Sequence, residues 1–474
     1  MTASTTFRRG LLAGAASLAL VASACGGDNS SSTSSATTTA SATSASTAAA
    51  AATTTASTAA TTAAAATTAP AVDIKGKTVT MLGPETSTEA DALAAGFAGW
   101  EQKTGAKIEY TGTRDAETQV RTAAEAGGSA LPDIFMAPQP GLIKDLAAKI
   151  TPVSAAVSAT VKANFDPFLV NLATVDGKLL GVPAKADLKS LVWYSPSVFK
   201  AKGYTVPTTW AELTALGDKM RADGISPWCI GIESGEATGW PLTDWMEDLM
   251  LRMHGPDVYD KWVSHQIPFN DPMVKDVADM VGQIWFGEGN VLGGRESIPS
   301  TGFANAGYPI LDGTCGMHRQ GNFYGANFLT AKPDVKFGDD GDVNVFYLPT
   351  INKDFGNVTL TAGIYAVSFN DKPETQSAME FLASADFANA RAKAQQGGFL
   401  SPNKKIDVNS YGNPLDKQLA SILLQASPVR FDGSDAMPSS VGAGTFWKEG
   451  TNWVSGAEDT DTFLNNVEAS WPAT

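Results

Sequence analysis

Three cysteines and three histidines are all that this 474-residue chain offers for thiol or metal chemistry. His254, His265 and His318 stand too far apart for paired ligand spacing, so no metal site is expected. The signatures of common enzymes are missing as well. There is no G-x-S-x-G turn around a serine nucleophile, no phosphate-binding P-loop and no H-E-x-x-H zinc helix, and no cofactor is expected. Positive charge is scarce, with 34 Lys and Arg against 49 Asp and Glu and a formal net charge of −15. Nucleic acid and anionic membrane surfaces are therefore poor partners for the folded part, although the same acidity also simply keeps a secreted protein soluble. The apolar stretch near the start, Gly10 to Ala22, is too short for a spanning helix.

What is present begins with an address. Arg8-Arg9, the apolar run and the small residues Ala22-Ser23-Ala24 form a secretory signal over residues 1–24. The sequence Ala22-Ser23-Ala24-Cys25-Gly26-Gly27 resembles the bacterial lipobox, in which the cysteine is acylated and becomes the first mature residue. Ala22 stands where that pattern usually has Leu. Cleavage nearby without lipidation, and twin-arginine export through Arg8-Arg9, remain alternatives. The expected location is extracytoplasmic, lipid-anchored to the outer face of the bacterial cytoplasmic membrane through Cys25. Residues 25–72 are nearly all Ser, Thr and Ala, with nothing to bury, and read as a disordered tether. With Cys25 assigned to lipid, Cys229 and Cys315 remain in an oxidising compartment and are expected to pair as a disulfide, with two buried thiols as the alternative.

The full chain is 43% hydrophobic with 11 Trp, and the part beyond the tether is long enough for two lobes. Strand-like runs Lys77–Leu82, Lys107–Tyr110 and Leu131–Met136 alternate with helical patterns from Glu89 to Gly105 and from Ala116 to Ala126. This alternation predicts a parallel, doubly wound sheet. Ligands of such sheets sit beyond the carboxyl ends of the strands, which selects the loops Gly83–Ser87 and Ala137–Gly141 and, within them, Glu85 and Gln139. Asp133 reads as a turn or strand-end partner. The stretch Gly181 to Tyr194, GVPAKADLKSLVWY, is a strand that crosses between lobes with charged residues at the crossing, and Leu360–Val367 is the return. Lobe 1 is then 73–185 and 366–402, and lobe 2 is 186–365 and 403–474. Thr209 and Glu212 have the spacing of a capping box.

Several stretches together resemble a known family. They are the lipobox, Leu131-Pro132-Asp133-Ile134, Gly181 to Tyr194, ATGWPLTDW at Ala237 to Trp245, Ile284 to Gly289, Met317 to Gly321, Thr361 to Ala366, GGFLSPNK at Gly397 to Lys404, and Arg430 to Trp447. In this order they resemble the extracellular solute-binding proteins of ABC sugar importers, in the α-glucoside branch related to maltose-binding protein. The resemblance implies an α/β, two-lobed periplasmic-binding-protein-like fold (type II) that closes on its ligand by hinge motion. It also implies a monomer whose partners are a small-molecule sugar and the membrane permease subunits. A sugar needs carboxylates, amides and Arg at its hydroxyl rim and flat rings against its C–H faces. The residues that match the family's pattern are Trp447, Trp240, Asp187, Arg319 and Gln320, followed by Lys189, Glu85, Gln139, Trp285, Gly363 and Asp432. Trp100, Trp210 and Trp262 are assigned to core packing.

The rival reading is a secreted glycoside hydrolase, which needs two carboxylates about 5–10 Å apart across the scissile bond. Glu85, Asp187, Glu233 and Asp244 are the acids available for such a pair. A lipid-tethered adhesin is a third class, and it shares the tether but not the crossing strand.

Overall fold

The computed structural model describes residues 73–425 and 428–473. The signal over 1–24, the lipidation of Cys25 and the tether over 25–72 fall outside the described residues.

The strands run, in chain order, as β1 (Thr78–Gly83), β2 (Lys107–Gly112), β3 (Ile134–Ala137), β4 (Thr174–Val175), β5 (Lys178–Leu179), β6 (Gly181–Leu188), β7 (Leu191–Tyr194), β8 (Ser226–Trp228), β9 (Cys315–Arg319), β10 (Asn344–Tyr347), β11 (Thr359–Ser368) and β12 (Val429–Phe431). One sheet has the order β12-β11-β3-β1-β2, with β6 added on β11, and a second has the order β10-β7-β9-β8. In β1 the alternation is legible directly, with Val79 and Met81 buried while Thr78 and Thr80 face out.

The first sheet is parallel only in part. β1 is parallel to β2 and β3, as strand–helix alternation requires, but β11 runs antiparallel to β3 and to β6. The reason is topological. β11 returns from the second lobe and enters the first sheet from the opposite end to the strands that began there. The helical pattern after Glu89 also divides, into Ser87–Gly96 and Ala98–Thr104, with buried Phe97 at the break.

Two hydrophobic cores follow the two sheets. The first gathers Val79, Met81, Phe97, Phe135, Val182 and Tyr365. The second gathers Val192, Trp245, Trp262, Trp285, Phe446 and Trp453. A third cluster, with Leu188, Trp193, Tyr324, Phe399 and Leu400, contains both Cys229 and Cys315. Phe399 and Leu400 pack in this cluster with Trp193. Cys229 and Cys315 form a disulfide, with Cα atoms 5.9 Å apart, so the free-thiol alternative is set aside. Trp100 and Trp262 are buried, and Trp210 packs partly buried against the second core. Thr209 and Glu212 form the expected reciprocal capping box at the helix Trp210–Ala222. Asp133 accepts hydrogen bonds from the backbone and hydroxyl of Thr80 and pairs with Lys372, a structural clasp. Among the described residues no helix is long and apolar enough to cross a membrane.

Between the two cores, β6 and β11 are paired along their length and every residue of both is buried. They form a two-stranded hinge.

Candidate functional site

Side chains on a strand alternate between faces, so Lys185 and Asp187 on β6, with Lys189 just past its end, project toward the same side. That side faces a cavity of about 160 Å³ between the lobes. Opposite β6, Gly363 of β11 completes the floor. A Cβ at Gly363 would lie 2.5 Å from the carbonyl oxygen of Lys185, so only glycine lets the two hinge strands approach this closely.

The two lysines divide their partners by lobe, with Asp187 between them. The Lys185 ammonium lies 2.7 Å from Glu89 and 3.4 Å from Glu85, both in the first lobe. Glu85 is also gripped by both terminal nitrogens of Arg391, at 3.0 and 2.5 Å. Burial pushes the Glu85 carboxyl up, but Arg391 and Lys185 outweigh it and hold it below the usual range. The Lys189 ammonium lies 2.7 Å from Asp244 and 2.5 Å from Asp432. Burial pushes Asp244 up to about 6, against the pull of Lys189. Asp432 is pushed up by burial in the same way, yet Lys189 keeps it ionised and below its ordinary value. Asp187 stands between the two lysines. Its Oδ1 is 3.7 Å from Lys185 and has no hydrogen-bond partner, and burial raises its pKa.

Asp244, Glu247 and Asp432 bring carboxylate oxygens within 4.8 Å of one another, close enough to share a cation. Their charge is already answered. Lys189 bonds two of them, and the backbone amides of Gly433 and Ser434 hold Glu247 at 2.8 and 2.9 Å.

Aromatic rings supply the remaining walls. Trp240, at the first turn of the helix Trp240–His254, meets Phe303 edge-on at 5.0 Å and Phe323 at 5.9 Å. The Lys189 ammonium sits 5.4 Å from the centroid of the Trp240 ring. Trp447 begins the helix Trp447–Ser455, and its indole N–H is buried without an acceptor. Gln139 Oε1 and Ser234 Oγ are likewise buried without partners on the same wall. The cavity thus combines flat apolar faces with unpaired donors and acceptors from both lobes and the hinge, which suits a ligand that is hydroxylated at its rim and apolar on its faces.

Of the residues singled out from the sequence, Trp447, Trp240, Asp187, Lys189, Glu85, Gln139, Gly363 and Asp432 line this cavity. Three are not among its lining residues. Trp285 is in the second core, edge-on to Trp245 at 6.0 Å, because Val274, Val277, Val281 and Trp285 share the buried face of one helix. Arg319 is spent on a buried ion pair, 2.8 Å from Asp248 and 3.3 Å from Asp244, and touches the wall only through Asp244. Gln320 turns its side chain onto the amide of Gly321, while its carbonyl accepts the indole N–H of Trp193. The sequence reading missed Lys185, Glu89, Arg114, Phe303 and Phe323 as wall residues and Arg391 as a positioning group. Lys185 had a signal, since it is two residues from Asp187 on the same strand.

The lobes are in close contact around the cavity. Gly141 of the first lobe lies against the backbone of Met437, and Asp145 bonds Ser439. Arg114 places its guanidinium 4.8 Å from the centroid of the Phe303 ring. These contacts join the two lobes beside the cavity.

The sequence profile of the family described as bacterial extracellular solute-binding protein matches residues 85–389. The osmoprotective compounds-binding protein GgtB of Synechocystis is 40% identical over 401 residues, covering 84% of this chain and 93% of GgtB. The alpha-glucosides-binding periplasmic protein AglE of Rhizobium meliloti is 38% identical over 414 residues, covering 84% of this chain and 88% of AglE. Among solved structures, the bacterial solute receptor AcbH superposes with a TM-score of 0.71 at 18% identity, over 83% of this chain and 98% of its own. That likeness carries the fold, which is the two-lobed receptor fold expected from the sequence.

Proposed function

This chain belongs to the family of bacterial extracellular solute-binding proteins, and from that premise we propose that it captures a carbohydrate, an α-glucoside or another di- or oligosaccharide, for an ABC importer. The observation that carries the reading is the wall of the interlobe cavity. Rings from Trp240, Phe303, Phe323 and Trp447 face a row of polar atoms that are buried yet unpaired, on Gln139, Asp187, Ser234 and Trp447. Each such atom costs about 1–3 kcal/mol while unsatisfied. Sugar hydroxyls, which both donate and accept, remove that cost, and the rings cover the sugar's C–H faces. Relatives named for α-glucosides and for osmoprotective compounds support the same class.

The cycle is capture without chemistry. Open lobes take the sugar, closure about β6 and β11 buries it, and the closed form docks on a membrane permease that reopens it. The family places the protein outside the cytoplasm. We further propose that Cys25 carries the lipid that keeps the monomeric receptor at the membrane, with residues 25–72 as the tether.

One observation favours a hydrolase, the Asp244 carboxyl raised to about 6. It is opposed by the direct bond of that carboxyl to the Lys189 ammonium, which leaves it poorly placed to protonate a leaving group. The relatives are named as binding proteins.

The test is a thermal-shift panel with maltose, trehalose, maltotriose, sucrose and simple polyols, with the sugars recovered and chromatographed. A ligand at one hundred times its dissociation constant adds about 2.7 kcal/mol of stability. A shift with intact sugar is the expected result. Cleaved sugar would make the protein an enzyme, and no shift with any sugar would end the carbohydrate reading.

A further inference from the structure

We infer that the solute carries a protonated amino group, seated where Glu117 and Gln139 of the first lobe meet Asp435 of the facing lobe. The ligand is then an aminated glycoside, and a neutral one fills the same cleft less well. This rests on the carbohydrate reading above and adds a charge to it.

The corner is built from both sides of the cleft. Glu117 is in the first turn of the helix Ala116–Glu125, Gln139 stands at the entry of the helix Pro140–Asp145, and Asp435 is on the short helix Gly433–Ala436. All three line the interlobe cavity. The close approach at Gly141 brings them together, since a Cβ there would lie 3.1 Å from the Asp435 carbonyl oxygen. Gln139 turns toward the Glu117 carboxyl, and Glu117 and Asp435 feel each other's charge.

What these groups lack is a donor. Gln139 is only 3% exposed, and its Oε1 is buried with no hydrogen bond. Arg121 serves Glu117 on one oxygen, with both of its bonds, at 3.0 and 2.7 Å, falling on Oε1. The Asp435 amide donates to Asp432, but among the described residues its own carboxylate enters no hydrogen bond or ion pair. The cations of the cavity wall are engaged elsewhere, Lys185 and Lys189 on the carboxylates beside the hinge and Arg114 over the Phe303 ring. A hydroxyl placed in this corner donates once and then turns its own lone pairs toward carboxylate oxygens. An ammonium offers three donors, has no lone pair to strand and carries the opposite charge.

The balance of charge points the same way. Burial pushes the Asp435 carboxyl well above its ordinary value, and Asp432, Asp244 and Glu117 add to that against the pull of Lys189. Burial raises Glu117 as well, against Arg121. When both are ionised, like charges face each other across the two lobes and resist their approach. An ammonium between them turns that repulsion into attraction, so the amine contributes to closure as well as to affinity.

The experiment is calorimetric titration of the full protein with maltose, trehalose and sucrose, with their monoamino analogues in which one hydroxyl is replaced position by position, and with the N-acetyl form of each. At least one amine should bind about tenfold or more tightly than its hydroxyl parent, and its N-acetyl form should lose that gain. In Asp435→Asn and Glu117→Gln the ratio of amine to parent should fall to near one, with wild-type melting behaviour. The neutral parents are also titrated with calcium and with magnesium chloride, because a free cation could occupy the same corner. The inference is overturned if the parents bind and no amine exceeds them, if the N-acetyl form keeps the gain, if the ratio survives both substitutions, or if a divalent ion tightens the neutral parents by the same factor. If neither parents nor amines bind, the carbohydrate reading itself falls, and the inference goes with it.

Discussion

Gly141→Ala separates the closed, ligand-holding state from the rest of the fold. Gly141 sits in the first turn of the helix Pro140–Asp145, whose entry loop carries Gln139. A Cβ added there would lie 2.2 Å from the carbonyl oxygen of Met437 and 3.1 Å from that of Asp435, both on the facing lobe. A carbon–oxygen contact needs about 3.3 Å, so the methyl group arrives about 1 Å too close to rigid backbone. Overpacking of this kind costs about 1–3 kcal/mol. The cost falls on the closed state alone, because in an open cleft the methyl group meets solvent and alanine is the better helix former by about 1 kcal/mol. A penalty confined to the binding-competent state raises the apparent dissociation constant by the same free energy, roughly 5- to 150-fold. Titration calorimetry with the sugar identified by thermal shift gives the affinity, and small-angle scattering with and without sugar gives the closure. The ligand-free melting temperature should stay at or slightly above wild type. Wild-type affinity together with full compaction on sugar would refute the argument, since it would mean that the lobes need not approach at Gly141 to hold ligand.

Trp285→Ala should cost about 3–5 kcal/mol in denaturant unfolding, as for any large core truncation, while the folded fraction binds sugar with unchanged affinity in calorimetry. Removing the Cys229–Cys315 disulfide by a double Ala substitution frees a loop with a sequence separation of 86, worth about 4–5 kcal/mol on the chain-entropy account, and unfolding midpoints would show it. Burial raises the Asp244 pKa to about 6 from an ordinary 3.8, so the folded protein holds its proton more tightly than the unfolded chain. Its contribution is therefore fully present below the unfolded value and is lost as pH rises through about 6, by about 3 kcal/mol at most. Asp244→Asn should remove that component, and a difference between wild-type and variant stabilities that stays constant from pH 4 to 7 would contradict it.

Much of this architecture was legible because local patterns carried it. The apolar alternation of β1, the capping box at Thr209, the crossing strand and the loops after β1 and β3 are each written in adjacent residues. The direction of β11 was not. Whether a returning strand lies parallel or antiparallel depends on which end of the sheet it enters, and that is decided by the whole second lobe. Arg319 and Gln320 show a related limit. Their segment could be placed at the end of a strand, but the carboxylate of Asp248 that binds the Arg319 guanidinium is 71 residues away in sequence. Arg391 had no local mark either, since its partner Glu85 lies 306 residues back along the chain. Trp285 is different, because its three- and four-residue spacing from Val281, Val277 and Val274 already marked it as a core residue.

The sequence Lys185-Ala186-Asp187-Leu188-Lys189 condenses the proposed function into one strand. With period-two geometry its three charges share a face, but they do not share partners. Lys185 is committed to Glu85 and Glu89 of the first lobe, and Lys189 to Asp244 and Asp432. Removing a partner from either buried pair would leave a charge uncompensated, so both lysines are bound to the framework and unavailable for chemistry. Asp187 is the acid left between them, with one oxygen buried and unpaired at the cavity floor. A carboxylate oxygen in that position is costly while unpaired and becomes favourable once a hydroxyl donates to it. The strand that carries Asp187, β6, is one of the two hinge strands. A donor that reaches this oxygen is therefore bound where the lobes pivot, within reach of both walls, and the free energy gained there is available to draw the lobes together.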